Sequence, residues 1–328
     1  MADDRFVGDD KSSENRPLLG IGSCLAGNAV RYNGQTKSRN QYVRQLCEQF
    51  ETTAFCPEMG IGLGVPRPPI HLVGTEDAVR IVDAETQTRD YTADIRAYAR
   101  EVLDQAPRLC GYILVKGSPS CGWGRVKRYS EDGKYLASDQ NGVFAAALAE
   151  ADPLLPLEDD GRLNDPGLRE SFVTRACAYH EWKILLDEGL NTHRLIAFYS
   201  RYKYLVMAHH VPGYKALGPM LADAGRQPLQ ELAERVIAIM MDALAHTATR
   251  RSHSNVLFHI AGYLKRRIPA AQRQRLAALI EDYRTGRVPL VVPITLLKHH
   301  FADNPDAYID RQVFLEPYPE ELGIRNVV

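Results

Sequence analysis

The sequence predicts an α/β N-terminal domain, Rossmann-like with a mostly parallel sheet, followed by an all-α helical-bundle domain. Two observations carry this expectation. In the first half, short apolar runs alternate with helix-period segments, the pattern that builds a parallel sheet with covering helices. From about Asn164 strand signals become rare, and apolar residues recur at three- and four-residue spacing. A chain of 328 residues is long enough for two cores, and 45% hydrophobic with 25% charged residues is ordinary globular composition.

The elements follow in order. Pro17–Gly22 (PLLGIG) reads as a strand and Gln41–Phe50 as a helix, with Val43, Leu46 and Phe50 at helical spacing. Thr53–Phe55 is a short second strand, and His71–Val82 an inserted hairpin or irregular pair. Asp90–Gln105 is a helix with Ile95, Tyr98, Ala99 and Leu103 on one side. Gly111–Val115 (GYILV) is a buried strand, Val143–Glu150 a helix and Leu154–Leu157 a short strand. Five helices are expected in the second half, at Phe172–Leu186, Arg194–Met207, Leu229–Ala245, Val256–Arg267 and Ala271–Tyr283. Gly189, Pro212-Gly213, Gly218-Pro219, Pro269 and Gly286 read as the turns between them.

Residues 1–15 read as a disordered tail, because they are acidic and polar and hold no apolar core for a signal peptide. The α/β domain is placed at 16–160 and the helical domain at 165–328, with the polar stretch Glu158–Gly167 between them. No apolar run reaches about 18 residues, so no membrane span is expected and the protein reads as cytoplasmic. A net charge of −1 excludes a uniformly basic nucleic-acid binder. Locally the balance differs: Arg250–His300 holds ten Lys or Arg against Glu281 and Asp282. That excess suggests a basic surface for an anionic partner, with Lys265, Arg266 and Arg267 as candidate contacts. The alternative is a solvated helical face balanced by acids elsewhere.

Three of the six cysteines share a setting. Cys24 follows PLLGIG, Cys56 follows TAF and Cys121 follows GYILV in the loop KGSPSCGWG. Each lies just beyond the C-terminal end of an expected parallel strand, where open α/β sheets form their ligand sites. Three thiols brought together there suit metal ligation. A structural zinc site usually closes with four ligands and a plain electron-transfer cluster takes four cysteines, so three leave one position open. Three unrelated buried thiols is the competing reading. Cys47, Cys110 and Cys177 read as small packed hydrophobes.

Groups with acid–base capacity surround the trio. Glu58 lies two residues after Cys56, and a carboxylate beside a metal centre acts as general base or proton shuttle; a loop hydrogen bond is the structural alternative. Ser118 and Ser120 flank Pro119 before Cys121, with a turn-forming role as the alternative. Lys116 and Arg67 are candidates for substrate contact; Lys116 could contact an anion or simply pair with an acid. Gly60, Gly62 and Gly64 imitate part of a dinucleotide fingerprint. That fingerprint must open a helix, and the Pro-rich run from Val65 to Pro69 cannot continue one.

The set SCLAG…VRYNG, CPEMGIGLGVPRPP and LVKGSPSCG resembles the thiouracil desulfurase family. YLVMAHHVPGYKALG, SHSNVLFHIAGYLK, VPLVVPITLLKHH and FLEPYPEELGIRN resemble a second, uncharacterised domain often fused to it; together the two cover roughly residues 17–327. The resemblance implies a [4Fe-4S] cluster held by Cys24, Cys56 and Cys121, whose fourth iron takes the sulfur of a thiocarbonyl. It implies acid–base roles for Glu58 and for Ser118 or Ser120. The fused form resembles desulfidases that convert 4-thiouridine in tRNA to uridine, with water activated by Glu58 and tRNA docked on the helical half. Asn33 stands in VRYNG where an Asp is expected, and Trp123-Gly124 follows SPSCG. Free base, nucleoside and tRNA all remain open as the thiolated substrate at this point. So does a regulatory nucleic-acid-binding protein whose cluster senses oxidants or sulfur status without turnover.

Overall fold

A computed structural model describes residues 16–37 and 40–328; the expected tail, residues 1–15, lies outside them. The chain divides into two compact units, one ending at Ala151 and one beginning at Asp152.

The first unit runs β1 (Leu18–Gly22), α1 (Gln41–Gln49), β2 (Glu51–Phe55), α2 (Pro57–Gly60), β3 (Ile70–Gly74), β4 (Val79–Asp83), α3 (Thr92–Gln105), β5 (Leu109–Leu114), β6 (Val126–Tyr129), β7 (Tyr135–Gln140) and α4 (Val143–Ala151). Strand β1 pairs in parallel with β2 on one side and β5 on the other. The order therefore reverses at β1, which opens a crevice beyond the strands' C-terminal ends. Every residue of β1 and of β5 is buried. Gly20 is opposite Tyr112 in the β1–β5 register, and a Cβ on it would lie 2.3 Å from the Tyr112 ring. The ring of this fully buried tyrosine occupies that space and meets Phe144 of α4 edge-on, centroids 5.6 Å apart.

A second sheet, in the order β4-β3-β6-β7, is built from two insertions. The expected pair around His71–Val82 is the antiparallel hairpin β3–β4. The β6–β7 hairpin is an addition to the expected elements. Its burial alternates along β6, with Val126 and Arg128 inward and Lys127 outward, and Asp132-Gly133 supplies the turn.

The second unit holds β8 (Leu157–Asp159), α5 (Pro166–Asp187), α6 (Thr192–His209), α7 (Val211–Ala222), α8 (Leu229–Ala245), α9 (Arg250–Gly262), α10 (Ala270–Arg284) and α11 (Val291–Asp303). The strand expected at Leu154–Leu157 starts only at Leu157, since Pro156 offers no N–H to a ladder. The helix expected at Val256–Arg267 is α9, six residues earlier at its start. Thr249 and Ser252 form a reciprocal capping box that fixes that start. Helices α7 and α11 were not expected. Pro212 and Gly213, read as a turn, sit in the first turn of α7, where a missing N–H costs nothing. Pro219 lies inside the same helix. Leu195, Leu232, Val236, Met240, Leu257, Ile260, Ile280 and Leu297 form the fully buried centre of the unit. Among the described residues, no helix is long and apolar enough to cross a membrane.

Candidate metal centre

The three loops that follow β1, β2 and β5 line one cavity of about 240 Å³, and Cys24, Cys56 and Cys121 all face it. Backbone bonds hold these loops together. Ser23 N donates to Phe55 O at 2.8 Å, which joins the Cys24 loop to the end of β2. Val115 N donates to Cys121 O at 3.1 Å and Gly122 N to Ser118 O at 2.7 Å, closing the Cys121 loop on itself. Phe144 N donates to Ser120 O at 2.9 Å, and the missing side chain of Gly142 allows that approach, because a Cβ there would lie 2.4 Å from the same oxygen. Gly117, in the same loop, has φ +72°, a conformation that favours glycine.

All three thiols are free of disulfides. Burial pushes each of them up from the ordinary thiol range. Cys121 is raised furthest; Glu58 pushes the same way, and hydrogen bonds from Ser118 and Ser120 oppose it. Lys37 and Arg31 draw Cys24 back down, and the backbone N–H of Met59 does so for Cys56. Among the described residues, the cavity lining brings four cations, Arg31, Lys37, Arg67 and Lys116, against the one acid Glu58. Three soft thiolates balanced by that positive lining suit a thiolate-bound iron centre.

The acid–base groups form a chain of contacts. Ser120 Oγ donates to Glu58 Oε1 at 2.6 Å, and Ser118 and Ser120 hydroxyls lie 3.1 Å apart. Ser118 Oγ is 3.6 Å from Cys121 Sγ and accepts from Cys121 N at 3.2 Å. Ser120 is fully buried, whereas Ser118 lines the cavity. Arg67 Nε donates to Glu58 Oε2 at 2.9 Å, with a second contact from Nη2. The other Arg67 donors reach Gly64 O at 2.7 Å and Val30 O at 2.8 Å. The structure thus engages Arg67, a candidate for substrate contact, with its own chain, although Arg67 lines the cavity as Lys116 does.

Arg31, Tyr32 and Lys37 also face the cavity and were not singled out from the sequence. They lie in the long excursion after Cys24, and their type alone does not distinguish them from solvated loop residues. The basic stretch of the second unit is thinner than its composition. Arg267 pairs with Asp306, Arg284 with Glu281, Arg287 with Asp282, and Lys298 with Glu316 and Glu320. Arg250 and Arg273 donate to backbone carbonyls. Among the described residues, the exposed Arg251, Lys265, Arg266 and Arg275 are the members of this stretch without such a partner.

Three thiols at the switch point of a parallel α/β sheet, with a carboxylate and two hydroxyls in contact, form a donor set of the class that suits a metal centre flanked by acid–base groups. The chain belongs to the 2-thiouracil desulfurase family, whose model matches residues 19–160, and to a family described as "Protein of unknown function (DUF1722)", matched at residues 203–319. It is 37% identical over 158 residues to the uncharacterized protein YbgA of Escherichia coli K12, covering 48% of this chain and 94% of that one. It is 33% identical over 145 residues to the uncharacterized protein YbbK of Bacillus subtilis 168, covering 41% of this chain and 91% of that one. The solved structure of the [4Fe-4S]-dependent thiouracil desulfidase TudS is 28% identical, with a TM-score of 0.37, over 45% of this chain and 94% of that chain.

Proposed function

We propose that this chain is a [4Fe-4S]-dependent, non-redox desulfidase. It removes sulfur from 4-thiouridine in tRNA, or from related thiouracils, leaving uridine or uracil and sulfide. The observation that carries this reading is the meeting of Cys24, Cys56 and Cys121 with the Glu58–Ser120–Ser118 chain in one cavity. Family membership implies the cluster. Cys24, Cys56 and Cys121 would hold it, and it would supply an iron open to a soft thiocarbonyl sulfur, acting as a Lewis acid.

The remaining work falls to the chain's own residues. Arg67 fixes one oxygen of Glu58 and leaves Oε1 to accept from Ser120. Ser120 connects Glu58 to Ser118, and both of these line the cavity, so a proton taken from water there is held by Glu58 and returns to the departing sulfur. Exchange of C=S for C=O with water releases hydrogen sulfide and leaves the substrate carbon's oxidation state unchanged, so no electron donor is required. Lys116, Arg31 and Lys37 place positive charge around the bound pyrimidine and its sulfide product.

Arg251, Lys265, Arg266 and Arg275 offer phosphate contacts that would hold tRNA without reading its sequence. The base must be presented unstacked, at a cost of a few kcal/mol, which such contacts offset. The test is anaerobic incubation of cluster-loaded protein with thiolated tRNA and, separately, with free 4-thiouracil, followed by nucleoside, base and sulfide analysis. Conversion of 4-thiouridine to uridine with one sulfide per base is expected. Loaded protein that releases no sulfide from either substrate overturns the desulfidase reading; release from the free base alone overturns the tRNA part.

A further inference from the structure

A cavity of about 570 Å³ in the second unit belongs to none of the groups discussed above. It is within the roughly 300–1,000 Å³ of small-ligand sites. Its walls are aromatic: Tyr199 from α6, Tyr214 from α7, Tyr263 just after α9, and Tyr308 in the segment after α11. Tyr263 and Tyr308 lie nearly parallel, with centroids 5.9 Å apart and an interplanar angle of 24°. Lys203 and Lys215 join the lining, with Lys203 Nζ 6.0 Å from the Tyr214 ring centre, and no acid is among the described lining residues.

Helix α7 adds two features. Gly218 lines the cavity and has no atom within 4 Å of where its Cβ would stand, so the helix leaves that space open. Pro219 has no N–H, so the carbonyl of Lys215, four residues earlier, is deprived of its helical donor. Aromatic faces and two ammonium groups together match an aromatic ring that carries an anionic substituent. The exposed Lys265 and Arg266 follow Tyr263 by two and three residues, so positive charge continues past the cavity mouth.

We propose that this cavity binds a nucleobase together with its attached phosphate, the base against the Tyr263–Tyr308 pair and the phosphate at Lys203 and Lys215. The site rests on the geometry of the second unit alone. That the nucleotide belongs to a single-stranded part of the substrate RNA rests on the reading given under Proposed function. Stacking on aromatic side chains is tolerant of base identity and is worth several-fold to about a hundredfold in affinity per base.

The experiment measures binding to the full-length, cluster-loaded protein by equilibrium dialysis, with uridine 5′-monophosphate, uridine, inorganic phosphate and a short oligouridylate as probes. The nucleotide and the oligomer are expected to bind, and uridine and phosphate alone to bind at least tenfold more weakly. Gly218→Leu, which fills the open space without removing a contact, and Tyr263→Ala should each weaken nucleotide binding about tenfold or more; Tyr263→Phe should retain it. Binding of the oligomer only assigns the site to RNA, and binding of the mononucleotide only assigns it to free nucleotide; both support the proposal. Equal binding of inorganic phosphate and nucleotide, unchanged binding in Gly218→Leu, or no binding at all overturns it. Sulfide release from free 4-thiouracil should be the same in all variants. No sulfide release by the unaltered protein from either free 4-thiouracil or thiolated tRNA overturns the desulfidase reading and leaves the binding result standing.

Discussion

Ser120 donates its hydroxyl proton to Glu58 Oε1 across 2.6 Å, while Arg67 holds the other oxygen of the same carboxylate. This contact joins residues 62 positions apart and separates the roles of the two serines, because Ser118 reaches the cavity and Ser120 stays behind it. Glu58→Gln should retain its cluster and lose about 10²–10⁴-fold in turnover, the contribution of a general base. Ser118→Ala should lose more activity than Ser120→Ala. The latter should move the pH–rate profile with little change in KM, and Ser120→Thr should restore it. Near-normal sulfide release from Glu58→Gln would return that residue to a structural role.

On this geometry Arg67 is expected to position Glu58 rather than to touch substrate. Its side chain is 3% exposed and that of Glu58 14%, so removing the guanidinium leaves a poorly hydrated carboxylate. Breaking a pair of this kind costs about 3–5 kcal/mol. Arg67→Met should show that loss in urea unfolding, and adding Glu58→Gln should recover part of it. A stable Arg67→Met protein with only a raised KM would instead make Arg67 a substrate contact.

Iron and sulfide content tests the ligand set. Anaerobically prepared protein should carry about four irons and four sulfides, as a [4Fe-4S] cluster requires. Cys24→Ala, Cys56→Ala and Cys121→Ala should each lose the cluster or hold it loosely, while Cys47→Ala, Cys110→Ala and Cys177→Ala keep it. Cys110 is fully buried, with its thiol 3.1 Å from Leu18 O, so its loss should cost stability alone. A firm cluster in Cys121→Ala would remove the proposed ligands.

Gly20→Ala probes the packing beneath the cavity. A methyl group would be driven into the Tyr112 ring, and overpacking of this kind costs about 1–3 kcal/mol. The drop should appear in thermal unfolding and shrink when Tyr112→Leu is added. Equal losses in the two backgrounds would show that the contact does not decide the strand's composition.

The second unit should weaken in acid through two buried histidines. Burial lowers the pKa of both His209 and His253. Below about pH 6.5 the unfolded chain then binds protons that the folded chain refuses. Stability from this source is therefore complete above that pH and falls as pH drops, by up to about 1.4 kcal/mol per pH unit for each histidine. Urea midpoints at pH 7.5 and 5.5 should differ less in His253→Gln than in the unaltered protein. An identical pH dependence would show that His253 does not contribute.

Composition and periodicity determined the two kinds of architecture, because strand–helix alternation and helix-period apolar spacing are local properties of the chain. They also placed Cys24, Cys56 and Cys121 at strand ends, which the parallel register of β1 with β2 and β5 turns into one cavity. The turn reading of Pro212-Gly213 and Gly218-Pro219 failed because first-turn tolerance of proline and helix context override a local breaker signal. The β6–β7 hairpin carried a local signal in Asp132-Gly133, but its place in the second sheet depends on pairing with β3, far away in sequence. Charge counting found ten cations in Arg250–His300, yet ion pairs and carbonyl contacts, some to residues beyond position 300, leave far fewer available. The partner of Glu58, the engagement of Arg67 and the tyrosine-lined cavity were decided by the tertiary structure alone. Each depends on the distance between side chains remote in sequence, and residue type and local spacing do not fix that distance.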